Sequence, residues 1–150
     1  MEYAHGMASQ ALALALSLSL ALPVLASAAG LPPAVGREAA AEKAGLAWLK
    51  QIDAGRYDES WLESAEPFRQ ATTQVGWVER LRAVRAPLGV AARREVTSRT
   101  YTARLPAAPE GEYVVIQLST DFAARKKAVE TITLRLERDG RWRAAGYFIR

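Results

Sequence analysis

Four side chains in this sequence are of the types that move protons in small isomerases and dehydratases: the carboxylates of Glu130 and Asp121 and the phenols of Tyr57 and Tyr147. A carboxylate base beside a hydroxyl donor, held in a dry pocket that raises its pKa, can carry that chemistry. Glu130 stands at the start of one expected strand and Asp121 at the end of its neighbour. The competing reading places both acids beside the turn Ala124 to Lys127, paired with Arg125 or Lys126 in water, as charges next to a hairpin usually are. Arg94 alternates with its neighbours so as to share a strand face with Val90, Ala92 and Val96, and an inward arginine needs a carboxylate. Glu130 or Glu79 would supply it structurally, and an anionic ligand is the alternative. Trp48, Trp61, Trp77 and Trp142 are a high aromatic load. They either fill a core, with the indole N–H groups bonded to carbonyls or carboxylates, or line a groove for a small apolar molecule or a peptide. Trp48, Trp61, Trp77 and Arg94 are therefore the candidate ligand-binding residues.

Other chemistries lack their parts. The only histidine is His5, and there is no cysteine. From Ala11 to Ala28 the chain is uncharged, rich in Ala and Leu, and ends in Ala26-Ser27-Ala28, which reads as a signal peptide cleaved near Ala28. Its apolar stretch, Ala11 to Leu22, is shorter than the roughly 20 residues of a membrane span, and Pro23 breaks it. No Lys or Arg precedes it, and Met7 is a second candidate start. With residues 1–28 removed, no His or Cys remains, so nucleophiles that rely on an imidazole base and the usual zinc, copper or iron ligand sets cannot be assembled. Asp53, Asp58, Asp121 and Asp139 lack the spacing of a calcium loop. Asp53 and Asp58, around Gly55, read as helix-end charges. Gly-rich phosphate loops are absent. No metal and no cofactor is expected. Stability would not come from disulfides, and about 122 residues suffice for one ordinary core. The formal charge of +4 is scattered. In an exported, periplasmic or secreted chain without a transmembrane span after cleavage, it favours solubility over nucleic-acid binding.

The elements that must position these residues follow from periodicity. After a flexible lead-in over residues 29–37, Ala41, Gly45, Trp48, Leu49 and Ile52 fall at helical spacing over Glu38 to Ala54, and Gly55 stops that helix. Asp58 is placed to cap a short helix to about Ala65, with Tyr57 stapled on Leu62 and Pro67 ending the segment. A third helix is predicted from Phe68 to Arg85, with Val75, Trp77, Val78, Leu81 and Val84 on one side. Beyond Gly89 the period changes to two. Strands are predicted over Val90 to Leu105, Glu112 to Phe122, Val129 to Arg138 and Arg141 to Ile149. In the third, Ile132, Leu134 and Leu136 alternate with Thr131, Thr133, Arg135 and Glu137. Asp139-Gly140 predicts a two-residue hairpin with both residues at positive φ. The aromatic spacing near Gly146 suggests a bulge, with Tyr147 and Ile149 changing face relative to Trp142 and Ala144. Helices followed by an antiparallel meander give one α+β domain over residues 38–150, with the helices on one face of a curved sheet. This order is similar to the NTF2-like (cystatin-like) cone.

Trp48-Leu49 with Ile52-Asp53, Gly55, Tyr57 and Ser60-Trp61, then Trp77, Pro87-Leu88-Gly89, Arg94, Leu105-Pro106, Gly111, Tyr113-Val114-Val115, Glu130-Thr131, Gly140 with Trp142, and Gly146-Tyr147 resemble the DUF4019 family from about Ala41 to Arg150. The resemblance implies export to the bacterial envelope and a single domain; that family's function is unknown, so it assigns no active site. Three readings stand at this point. The first is a non-catalytic interaction module holding a small apolar ligand or a partner segment between helices and sheet. The second is a small enzyme using a carboxylate and a tyrosine. The third is an envelope scaffold that dimerises through the open sheet face.

Overall fold

The computed structural model describes residues 34–150, so the expected signal peptide and most of the lead-in lie outside the described residues. Four helices precede four strands: α1 (Ala34–Asp53), α2 (Tyr57–Leu62), α3 (Glu66–Ala71), α4 (Gln74–Arg85), β1 (Ala91–Thr102), β2 (Tyr113–Phe122), β3 (Ala128–Leu136) and β4 (Trp142–Ile149). The strands form one antiparallel meander in the order β1-β2-β3-β4, and α1 lies across all four of them. The α+β class and the change of period after Gly89 are as expected.

α1 begins at Ala34, inside the predicted lead-in. Its buried positions, Ala41, Gly45, Trp48, Leu49 and Ile52, form one stripe facing the sheet. Gly45 permits the close approach: a Cβ there would stand 3.2 Å from Leu134 Cδ2. Trp48, Leu49, Ile52, Trp77 and Leu81 meet Val114, Ile116, Leu118, Ile132, Leu134 and Ala144 in a single core.

Local chemistry corrects several boundaries. The predicted third helix divides at Thr72 and Thr73, because Thr72 is extended and the Thr73 hydroxyl accepts from Gly76 N–H at 3.2 Å, capping α4. Pro67 opens α3 rather than ending α2, since its missing N–H is no loss in a first turn. Asp58 lies in the first turn of α2 and does not cap it, and Leu62 is 58% exposed, so no staple forms on it. On α4 the buried stripe is Trp77, Leu81 and Arg85, whereas Val75 is 68% and Val84 40% exposed. The last hairpin uses three loop residues, Arg138 to Gly140, not two. Gly140 N–H donates to Glu137 O at 2.9 Å, only Gly140 of the pair has positive φ, and Asp139 instead binds Arg141 N–H.

The β4 bulge is present between Thr133 opposite Gly146 and Leu134 opposite Ala144. It unites rather than separates the two pairs, bringing Tyr147 to the helix side with Trp142 and Ala144. Each sheet edge is covered in part. Ala65 N–H donates to Ala144 O at 2.8 Å along β4. Along β1, Glu38 accepts from Tyr101 N–H at 3.0 Å, Glu42 pairs with Arg99, and two register shifts bend the strand.

Candidate functional site

The core is not wholly apolar. At the end where α1 and α4 finish, Glu130 is fully buried on the helix side of β3. One of its oxygens accepts from Arg94 Nε at 2.6 Å and from the Thr120 hydroxyl, and the other from the Tyr147 hydroxyl and from Arg94 Nη2 at 3.3 Å. Asp53, at the end of α1, accepts from Arg94 at 2.7 and 3.0 Å and from Arg85 Nη2 at 2.9 Å. Arg85 stands 4.0 Å from Glu130 and lies over the Phe122 ring at 5.0 Å. The cluster is thus two carboxylates, two guanidiniums and a phenol, with no net charge.

Neighbours fix the ionisation of Asp53, Arg94 and Tyr147. Burial opposes the Asp53 charge, but hydrogen bonds from Arg94 and Arg85 outweigh it and hold the carboxyl below its ordinary value. Burial likewise opposes the Arg94 charge, and hydrogen bonds to Asp53 and Glu130 raise its pKa regardless. Burial, together with the Glu130 charge and the bond to it, keeps the Tyr147 phenol protonated.

The structure therefore brings Glu130, Tyr147 and Arg94 together. The structural pairing weighed for Arg94 with Glu130 is present, while Glu79 is exposed on α4. Asp121 is apart from them and accepts from Lys127 N–H at 2.9 Å in the β2-β3 turn. Tyr57 lines a shallow depression of about 400 Å³ with Asp53, Arg82 and Arg85, and neither Glu130 nor Tyr147 lines it. A carboxylate base needs a lone pair facing its substrate. Both Glu130 oxygens are taken by the protein itself.

Sequence reasoning missed Arg85 and Thr120 and read Asp53 as a helix-end charge. A signal for Arg85 existed, since it follows Trp77 and Leu81 at intervals of four on the buried stripe.

Two tryptophans fill the interior. Trp48 and Trp77 are 5% and 2% exposed, with ring centroids 6.0 Å apart. Their indoles donate to Ser60 O at 2.8 Å and Ser60 Oγ at 3.0 Å, and that of Trp61 to Thr72 O at 2.7 Å. Trp142 is the exception. It lies beside a groove of about 410 Å³ between α1, the end of α2 and the start of β4, lined also by an edge of Trp48 and by Ala44, Ala47, Gln51 and the exposed Leu62. Glu63 stands on one rim and Arg141 and Arg143 on the other. The Gln51 amide donates to Glu63, which leaves Gln51 Oε1 buried without a donor. Such an atom costs about 1–3 kcal/mol.

Among the described residues no group of three or more acidic, His or Cys side chains converges on a point where a metal could sit, and no helix is long and apolar enough to cross a membrane. No curated protein and no solved structure matches the chain. Residues 44–147 match the family described as protein of unknown function DUF4019, a span that takes in both the buried cluster and the groove. The chain belongs to the DUF4019 family.

Proposed function

We propose that this chain is an exported, non-catalytic interaction module that holds a segment of a partner protein in the groove between α1 and the start of β4. The observation that carries the reading is the state of that groove. It combines Trp142, an exposed Leu62 and small alanines with a buried acceptor, Gln51 Oε1, that has no donor. A peptide supplies the apolar side chain the groove lacks, and its N–H meets Gln51 Oε1 only when the Gln51 amide turns toward the groove. The packed and hydrogen-bonded Trp48 and Trp77 favour a partner segment over a small apolar ligand deeper between the layers. The saturated Glu130 favours a binding role over carboxylate-tyrosine catalysis. A helix layer across a four-stranded meander supports an NTF2-like cone as the architecture, and the uncharged Ala11 to Ala28 run supports a periplasmic location.

Site-specific photo-cross-linking in the native host tests this. A photoreactive side chain at Ala47, on the groove, should give a discrete adduct that Leu62→Asp abolishes, while one at Val75, on the outer side of α4, should not. Equal adducts at both positions, or none at Ala47, would sink the reading.

A further inference from the structure

The groove beside Trp142 does not end at its rim. Leu62 and Arg143, which line it, also line a larger depression of about 640 Å³ between α3 and the β3-β4 hairpin. That depression in turn shares Pro67, Pro109 and Arg135 with a cleft of about 330 Å³ between α3 and the loop joining β1 to β2. The three form one channel with two apolar ends and a charged middle. At the far end the walls are Phe68, Ala71, Leu105, Pro106 and Tyr113. The loop there is already held: the Tyr113 hydroxyl donates to Pro109 O at 2.6 Å, Arg135 Nη2 donates to Glu110 O at 3.2 Å, and Pro106 and Pro109 restrict the backbone. A partner therefore loses little free energy in ordering it.

The middle of the channel leaves positive charge unmet. Four arginines and three carboxylates line it. Asp139 accepts from Arg143 through both oxygens, at 2.8 and 2.7 Å, and Glu137 pairs with Arg135 at 2.9 Å. Glu66 accepts from the Gln70 amide at 3.0 Å. Of the two other arginines, Arg69 donates to the neutral carbonyls of Leu62 and Ser64, and the exposed Arg138 meets no carboxylate among the described residues. The surplus is one positive charge.

We propose that the partner segment is extended and carries an acidic residue between two apolar ones. This rests on the groove reading above and names the chemistry of its occupant. One apolar side chain lies beside Trp142, the carboxylate pairs with Arg138, and the second apolar side chain enters the cleft beside Phe68. An anionic polymer would satisfy the middle and leave both apolar ends bare. A wholly apolar peptide would cover the arginines without pairing them.

Selection of random dodecapeptides displayed on phage against the purified chain tests this. A dodecapeptide reaches about 40 Å when extended, more than the ~30 Å diameter of a small domain, so it can cover the whole channel. The enriched sequences should carry Asp or Glu flanked on both sides by apolar residues, and Leu62→Asp should abolish their binding. In fluorescence anisotropy with a synthetic copy of the most enriched peptide, Arg138→Glu should weaken binding roughly fivefold. Ala71→Asp, which puts a charge at the exposed end of α3 in the far cleft, should weaken it about tenfold. A copy with its acid replaced by Lys should bind Arg138→Glu more tightly than it binds the wild type. Enriched peptides that Leu62→Asp abolishes but that show no acidic preference and ignore Arg138→Glu and Ala71→Asp would overturn the proposal and leave the groove reading standing. No enrichment, or binding that Leu62→Asp leaves intact, would remove the groove reading and the proposal with it.

Discussion

The two ends of the helix-sheet interface solve the same problem differently. Where α1 and α4 finish, Glu130, Asp53, Arg85, Arg94 and Tyr147 form a buried, charge-balanced cluster in which both carboxylates are satisfied by the protein itself. Where β4 begins, Trp142, Leu62 and Gln51 leave apolar surface in water and an acceptor without a donor. The first end contains Glu130 and Tyr147, two of the four residues that look catalytic in the sequence, and the second contains none of the four. The first end also holds an unmet group, Arg85 Nε, buried without a partner; the two ends differ in that both carboxylates of the first are saturated from within, whereas the second leaves an acceptor and apolar surface beside a groove that a partner can use.

The contrast is sharpest in stability. Glu130→Ala should cost about 3–5 kcal/mol in denaturant unfolding, because it strands buried guanidinium charge on Arg94 and Arg85. A loss near zero would mean that the cluster does not hold the layers together. Tyr147→Phe removes one hydrogen bond to a charged group and should cost about 1.5–3 kcal/mol in the same assay.

Acid probes the rim of the cluster with a smaller effect. The folded Asp53 carboxyl lies below its ordinary value of 3.8, so the stability it contributes is complete above that value and is lost as pH falls through the folded pKa. Between about pH 5 and pH 2 the melting temperature of the wild type should fall further than that of Asp53→Asn. Parallel curves would remove Asp53 from the account. At the groove end, Leu62→Asp should change stability by no more than about 0.5 kcal/mol, because the side chain is already in water. A large loss there would show that Leu62 is part of the core and would erase the contrast.

What the sequence made legible divides along the same line. The change of period after Gly89, the α1 stripe and the bulge near Gly146 are local patterns, and each appears in the fold. The division of the third helix was missed because nothing but the Thr73 hydroxyl stops it, and two adjacent threonines are a weak breaker. Arg94 with Glu130 was legible because an inward arginine demands a carboxylate. Asp53 and Arg85 were not assigned to the cluster, since their meeting depends on how the ends of α1 and α4 converge over β1 and β3. The groove was invisible for the same reason. It is the gap left between α1 and β4, and Trp142 differs from the other three tryptophans only through that packing.

Hydrogen exchange of the four indole N–H groups, read by ¹⁵N NMR on the purified chain, tests the central claim most directly. The indoles of Trp48, Trp61 and Trp77 donate to Ser60 and Thr72, and among the described residues that of Trp142 has no such acceptor. Three slow signals and one fast signal are predicted, which would mark a closed interior beside an open groove. A Trp77 signal exchanging as fast as that of Trp142 would contradict the account, because it would place solvent-accessible space between the layers where a ligand could enter.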